Sequence, residues 1–157
     1  TGEHMVKALD KAFKDKNAAG VVIRANSPGG SPVQSAIVYD EIRRLKAKNP
    51  NLPVYVVVEE VCASGCYYIA AAADKIFVSR ASIVGSIGVL SDGFGFSGVL
   101  DKLGVERRLM TAGNHKAMND PCSPRNPRDE AIRQQLLNEV HAQFIQAVKA
   151  GRGMRLK

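Results

Sequence analysis

Tryptophan is absent, and tyrosine and phenylalanine together supply the whole 6% aromatic content. With so few rings, basic residues scattered along the chain, and no RNA-binding or zinc-finger pattern, nucleic acid is not an expected partner. Cysteine is scarce too. Cys62, Cys66 and Cys122 are the only three, too few for a disulfide scaffold, and an odd number leaves at least one thiol unpaired in a monomer. Cys62 and Cys66 are four residues apart, a spacing that fits one helix face, but no second ligand pair accompanies them. They read as small apolar filler, and no metal site is expected.

Long apolar runs are also missing. The longest, Tyr67 to Ala73 and Val54 to Val58, fall far short of the roughly 20 residues that span a bilayer. The opening Thr-Gly-Glu-His-Met has no basic patch followed by an apolar stretch, so no signal peptide is expected there. Acidic residues are the minority. Against 22 Lys and Arg stand 15 Asp and Glu, a net charge of +7, which serves solubility first and attraction to anionic surfaces such as phospholipid headgroups second.

What is present is the makeup of one globular domain: 157 residues, 45% of them hydrophobic, enough to bury a single core. Val6, Leu9 and Phe13 recur at helical spacing, predicting an amphipathic helix that Gly20 stops. Val21 to Ile23 predicts a buried strand ending in Asn26-Ser27-Pro28-Gly29-Gly30. Ile37, Ile42 and Leu45 among charges predict a second helix, closed by Asn49-Pro50-Asn51-Leu52-Pro53. Val54 to Val58 reads as a second buried strand and Tyr67 to Ala73 as a helix. Ile76 to Val78 and Ile83 to Leu90 read as further strands, Val99 to Leu103 as a short helix, and Val105 to Met110 as another strand. A long helix from Asn126-Pro127 to about Ala150 has Asn126 as N-cap, Pro127 in the first helical position and Asp129 in the first turn. Strands alternating with helices predict an α/β fold with a mostly parallel sheet and flanking helices.

Two loops carry candidate chemistry. Pro28-Gly29-Gly30 at the exit of a strand lets backbone N–H groups face a ligand, as an oxyanion requires, although a plain strand-to-helix turn has the same composition. Ala63-Ser64-Gly65 places a hydroxyl between a strand and a helix, where serine serves more often as an N-cap than as a nucleophile. Cys62 and Cys66 stand where the Gly-x-Ser-x-Gly elbow of α/β-hydrolases has glycines.

Taken in order, Asn-Ser-Pro-Gly-Gly, then Ala-Ser-Gly, then Tyr67-Tyr68-Ile69-Ala70-Ala71-Ala72-Ala73-Asp74-Lys75-Ile76, then Gly85-Ser86-Ile87-Gly88-Val89, the chain resembles the signal peptide peptidase A family of serine peptidases. The likeness extends to Gly151-Arg152-Gly153-Met154. It implies a core of repeated β-β-α units like that of crotonases and the Clp protease subunit, and a Ser/Lys dyad. It further implies Ser64 as nucleophile, Lys116 within Ala112 to Met118 as general base, and Ser86 as the hydroxyl that orients the lysine. Gly65 with Gly30 or Gly29 would supply the oxyanion hole, and Gly30 is favoured. No metal or organic cofactor is implied.

The resemblance implies peptide substrates such as signal-peptide remnants, and a homo-oligomeric ring whose neighbouring subunits share sites. It also implies a bacterial cytoplasmic membrane anchor, with this domain on the outer side. On this reading, residues 1–157 are a single catalytic core without that anchor or the family's C-terminal segment. Cys66 departs from the family's usual second glycine and sets a thiol one turn from the nucleophile. His4, His115 and His141 read as surface residues. Two other readings stay open: a crotonase-like acyl-CoA hydratase or thioesterase, and a noncatalytic quality-control subunit of the same fold.

Overall fold

A computed structural model describes residues 2–153; Thr1 and Met154 lie outside the described residues. The elements run α1 (Gly2–Lys14), β1 (Val21–Ser27), α2 (Pro32–Lys48), β2 (Val54–Ala63), α3 (Gly65–Ala70), β3 (Lys75–Phe77), β4 (Ile83–Gly85), α4 (Ser97–Lys102) and α5 (Pro127–Arg152). Two compact units result, one holding residues up to Gly88 together with those from His141 onward, the other Val89–Val140.

The first unit is built on β2. Its register with β1 is parallel from Val21↔Val54 to Ala25↔Val58, then slips so that Ser27 meets Cys62. At the slip the Val61 N–H donates to Asn26 Oδ1 at 3.2 Å, so a side chain replaces the lost ladder partner. β3 pairs in parallel with Tyr55–Val57 and β4 in parallel with Val61–Ala63. Because Cys62 pairs with both Ser27 and Val84, β4 lies on the edge of β2 opposite β1. The fold is α/β, with a parallel sheet and flanking helices.

Burial explains the pattern. Leu9 and Phe13 of α1, and Val38, Tyr39, Ile42 and Leu45 of α2, meet Val54, Val56 and Val58 in one core. A fully buried side chain such as Ile42 stabilises by about 2 kcal/mol relative to exposure. Tyr68 stacks on Phe144 at 4.8 Å and meets Tyr39 edge-on at 5.4 Å, while the Tyr39 hydroxyl donates to the Ala147 carbonyl at 2.8 Å. Asp74 fixes the start of β2: its carboxylate accepts from Val54 N–H at 2.8 Å and from Lys46 Nζ at 2.7 Å.

The structure departs from the sequence reading in four places. α1 ends at Lys14, well ahead of Gly20. α3 stops at Ala70 because Ala71, Ala72 and Ala73, all fully buried, turn the chain into β3. β4 stops at Gly85, where Gly85 and Ser86 take positive φ angles of 100° and 54° that no strand accommodates. Val105 to Met110 is not a strand: no strand lies in the second unit to pair with it, and Met110 is 95% exposed. In that unit Phe96 N–H donates to the Pro121 carbonyl at 2.7 Å, and Arg107 pairs with Asp120 at 2.9 Å. The cap of α5 follows the sequence: Arg128 N–H donates to Asn126 Oδ1 at 2.9 Å, with Pro127 as the first helical residue.

Candidate active site

β2 hands the chain to α3 through one residue, Ser64, whose φ of 52° and ψ of −122° lie outside the regions open to ordinary L-residues. The backbone is held there at both ends. Ser64 N–H donates to the Gly85 carbonyl at 2.8 Å, and the Ser64 carbonyl accepts from Tyr68 N–H at 2.9 Å. Although Ser64 sits at the N-cap position, its side chain makes no cap hydrogen bond. A strained serine on a sharp strand-to-helix turn, its hydroxyl not used in capping, is the arrangement by which α/β-hydrolases present a nucleophile. Here the flanking residues are cysteines instead of glycines.

The Ser27–Gly30 loop lies against this turn. A Cβ on Gly29 would come within 2.7 Å of the Ser64 Cβ and 3.0 Å of the Gly65 nitrogen. One on Gly65 would lie 3.2 Å from the Gly30 nitrogen and collide with Ser35 Oγ. Only glycine fits at either position. Gly29 N–H is engaged by Ser27 Oγ at 3.2 Å. Among the described residues Gly30 N–H and Gly65 N–H have no recorded acceptor, and two such donors side by side form an anion-accepting pair. Sequence reasoning named Asn26 and Ser27 only as members of the loop, without the side-chain contacts by which they hold it, and missed Ser35. Ser35, the one buried polar residue of the described chain, donates to the Ser31 carbonyl at 3.0 Å; its place four residues after a helix N-cap is the sole sequence signal.

Beside the glycines opens a cavity of about 360 Å³ whose apolar wall includes Met5, Ile23, Val38, Val56 and Ile69, with Cys66 at its edge. Ser86, exposed, follows the Gly85 whose carbonyl holds Ser64 N–H. These residues, with Gly29, Gly30, Ser64 and Gly65, all belong to the first unit. Lys116 belongs to the second, on an exposed turn where its N–H donates to the Gly113 carbonyl at 3.3 Å. Neighbouring His115 pairs with Asp129 at 2.5 Å. His141 contacts the Ile87 carbonyl through Nε2 at 3.1 Å.

Cys62 and Cys66 do not share a helix. One is next to last in β2, the other second in α3, and their sulfurs meet at 2.6 Å across Ser64. Cys62 is fully buried. The thiol contact pushes Cys62 well above the ordinary thiol range, with burial adding to it, and holds Cys66 below that range.

Residues 46–157 match the model of peptidase family S49. The chain belongs to that family. As an S49 member it is 50% identical to the Na(+)/H(+) antiporter NhaA of Brucella melitensis over 94% of this chain, which is 20% of that protein. It is 34% identical, over 97% of its length and 44% of the relative's, to a protein of Enterococcus faecium that carries the name signal peptide peptidase SppA. To Protease 4 of Haemophilus influenzae the identity is 30%, over 96% of this chain and 24% of that protein. The chain thus spans less than half the length of each of these relatives. Among the described residues no helix is long and apolar enough to cross a membrane.

Proposed function

We propose that this S49 domain is the catalytic core of a serine peptidase in which Ser64 is the nucleophile and Lys116 the general base. The observation that carries the reading is the turn at Ser64: a φ of 52° on a serine whose side chain caps nothing, beside two N–H groups with no acceptor among the described residues. Such strain costs about 1–3 kcal/mol and persists where it serves a site.

The steps follow from the groups. Ser64 Oγ attacks the substrate carbonyl carbon as the Lys116 amine takes its proton. The tetrahedral oxyanion accepts hydrogen bonds from Gly65 and Gly30 N–H, a pair of donors of the kind worth about 3 kcal/mol each in such sites. The C–N bond then breaks, the amine leaves with the proton from Lys116, and water hydrolyses the Ser64 ester by the same route. Ser86 orients the lysine. No cofactor takes part.

A lysine is a base only when its amine is neutral, which requires desolvation or a positive field. Lys116 is exposed in the single chain; in this reading its cover comes from a second copy, with Ser64 of one subunit working with Lys116 of a neighbour in a homo-oligomeric ring. Exposed Phe94, Leu103 and Met110, at 81%, 70% and 95%, support such an interface. The apolar cavity supports substrates with apolar side chains, such as the remnants of signal peptides; the outer side of a bacterial cytoplasmic membrane is what the family resemblance implies for them. The test is hydrolysis of an apolar signal-peptide segment. The wild type cleaves it, Ser64→Ala and Lys116→Ala each do not, and mixed oligomers of the two variants recover activity. Cleavage by Ser64→Ala contradicts the nucleophile; absence of rescue in oligomers that have exchanged subunits contradicts the shared site.

A further inference from the structure

The two sulfurs that flank Ser64 stand 2.6 Å apart, about half an ångström beyond the S–S bond length of about 2.05 Å. One of them is reachable, because Cys66 lines the open cavity, while Cys62 is sealed beneath it. We propose that Cys62 and Cys66 are a redox-active dithiol which a peroxide closes to a disulfide across Ser64, and that the closed form does not hydrolyse peptides. The second half of this proposal rests on the peptidase reading above.

The geometry assigns the roles. Cys66 carries the thiol that is more readily deprotonated, because its contact with Cys62 favours the thiolate, and it faces the cavity through which an oxidant enters. Its sulfur attacks one peroxide oxygen, the O–O bond breaks, and water leaves, giving a sulfenic acid. The Cys62 sulfur, already in contact, then attacks the Cys66 sulfur; the S–O bond breaks and a second water leaves. Two thiols lose two electrons and two protons, and the peroxide becomes two waters. No resolving thiol from another molecule is needed, and the short path between the sulfurs favours closure over further oxidation.

The bond joins the end of β2 to the start of α3, the two ends of the turn that holds Ser64 and Gly65 N–H in place. Oxyanion donors act only within a few tenths of an ångström of their position, and a misplacement of about 1 Å costs on the order of a hundredfold in rate. The covalent link draws the two sulfurs about half an ångström closer than they stand in the present turn, so the reduced form is the active one.

The experiment treats the reduced purified protein with one equivalent of hydrogen peroxide and reads two things separately. Peptide mapping reads the bond: the tryptic peptide Asn49–Lys75, which holds both thiols, becomes about 2 Da lighter without alkylation, while Cys122 still alkylates. Hydrolysis reads the consequence: the rate falls at least tenfold and returns with dithiothreitol. Because Cys62→Ser opens a fully buried site and can fail to fold, Cys66→Ala is the informative variant, and its rate after peroxide divided by its rate before stays near one. Intact thiols after peroxide, a bond between two molecules, or equal inactivation of Cys66→Ala overturns the proposal. A disulfide that forms in a protein hydrolysing nothing in either state upholds the dithiol and removes the peptidase reading.

Discussion

A methyl group on Gly29 would stand 2.7 Å from the Cβ of Ser64, so the loop after β1 and the turn after β2 are packed to a tolerance that only glycine meets. The φ of 115° at Gly29 adds a second demand for glycine. Gly29→Ala therefore pushes the loop off Ser64 and carries the Gly30 N–H with it. Hydrolysis falls at least a hundredfold while the variant stays folded by circular dichroism, with a loss of about 1–3 kcal/mol in denaturant unfolding. A variant with wild-type rate would mean that the glycine loop takes no part.

The strain at Ser64 is measurable without any substrate. Ser64→Ala keeps the unfavourable φ of 52° and removes only a hydroxyl that caps nothing, whereas Ser64→Gly relieves the backbone. Glycine gains more entropy in the unfolded chain, which offsets part of that relief. The expected order is Ser64→Gly more stable than Ser64→Ala by about 1 kcal/mol, a few degrees in Tm. The reverse order would show that the turn is unstrained.

Much of this site was legible in the sequence. The succession of Pro-Gly-Gly, Ala-Ser-Gly and Gly-Ser-Ile-Gly between apolar runs marks where strands end, and strand ends are where the glycine loop, Ser64 and Ser86 lie. What could not be read is what packing decides. Three residues of β2, Glu59 to Val61, oppose one of β1, Asn26, at the bulge just before the glycine loop and Ser64, and no local pattern encodes that slip. Val105 to Met110 has the residues of a strand but no neighbouring strand in its unit, and β-propensity is realised only through pairing. The spacing of Cys62 and Cys66 suggested one helix face, yet they meet because Ser64 folds the chain back between a strand and a helix.

In the second unit, Ser123 Oγ and then the Arg107 guanidinium hold the Asp120 carboxyl below the usual carboxylate range. Because this value is lowered on folding, the contribution to stability is present above the ordinary range and lost as pH falls through the lowered value. The Asp120 carboxyl carbon resonance should titrate below about 3.9, the ordinary aspartate value, and Ser123→Ala should move it upward. Melting temperatures of the wild type and Asp120→Asn should converge as the solution is acidified. A normal titration in the wild type would contradict the pairing.

Lys116→Arg keeps the charge and nearly the size but cannot lose its proton, so turnover should be abolished. Ser86→Ala should lower the rate by roughly tenfold to a thousandfold, as expected of a group that positions the base. Substantial hydrolysis by the arginine variant at pH 8 would remove Lys116 from the mechanism, and an unchanged rate in Ser86→Ala would leave Ser86 as a turn residue.

The nucleophile can be identified by where a fluorophosphonate attaches. The account predicts a single phosphonylated residue, Ser64, in the tryptic peptide Asn49–Lys75, with labelling lost in Ser64→Ala and slowed in Lys116→Arg. An adduct on any other residue, or labelling of Ser64→Ala at the wild-type rate, would contradict it.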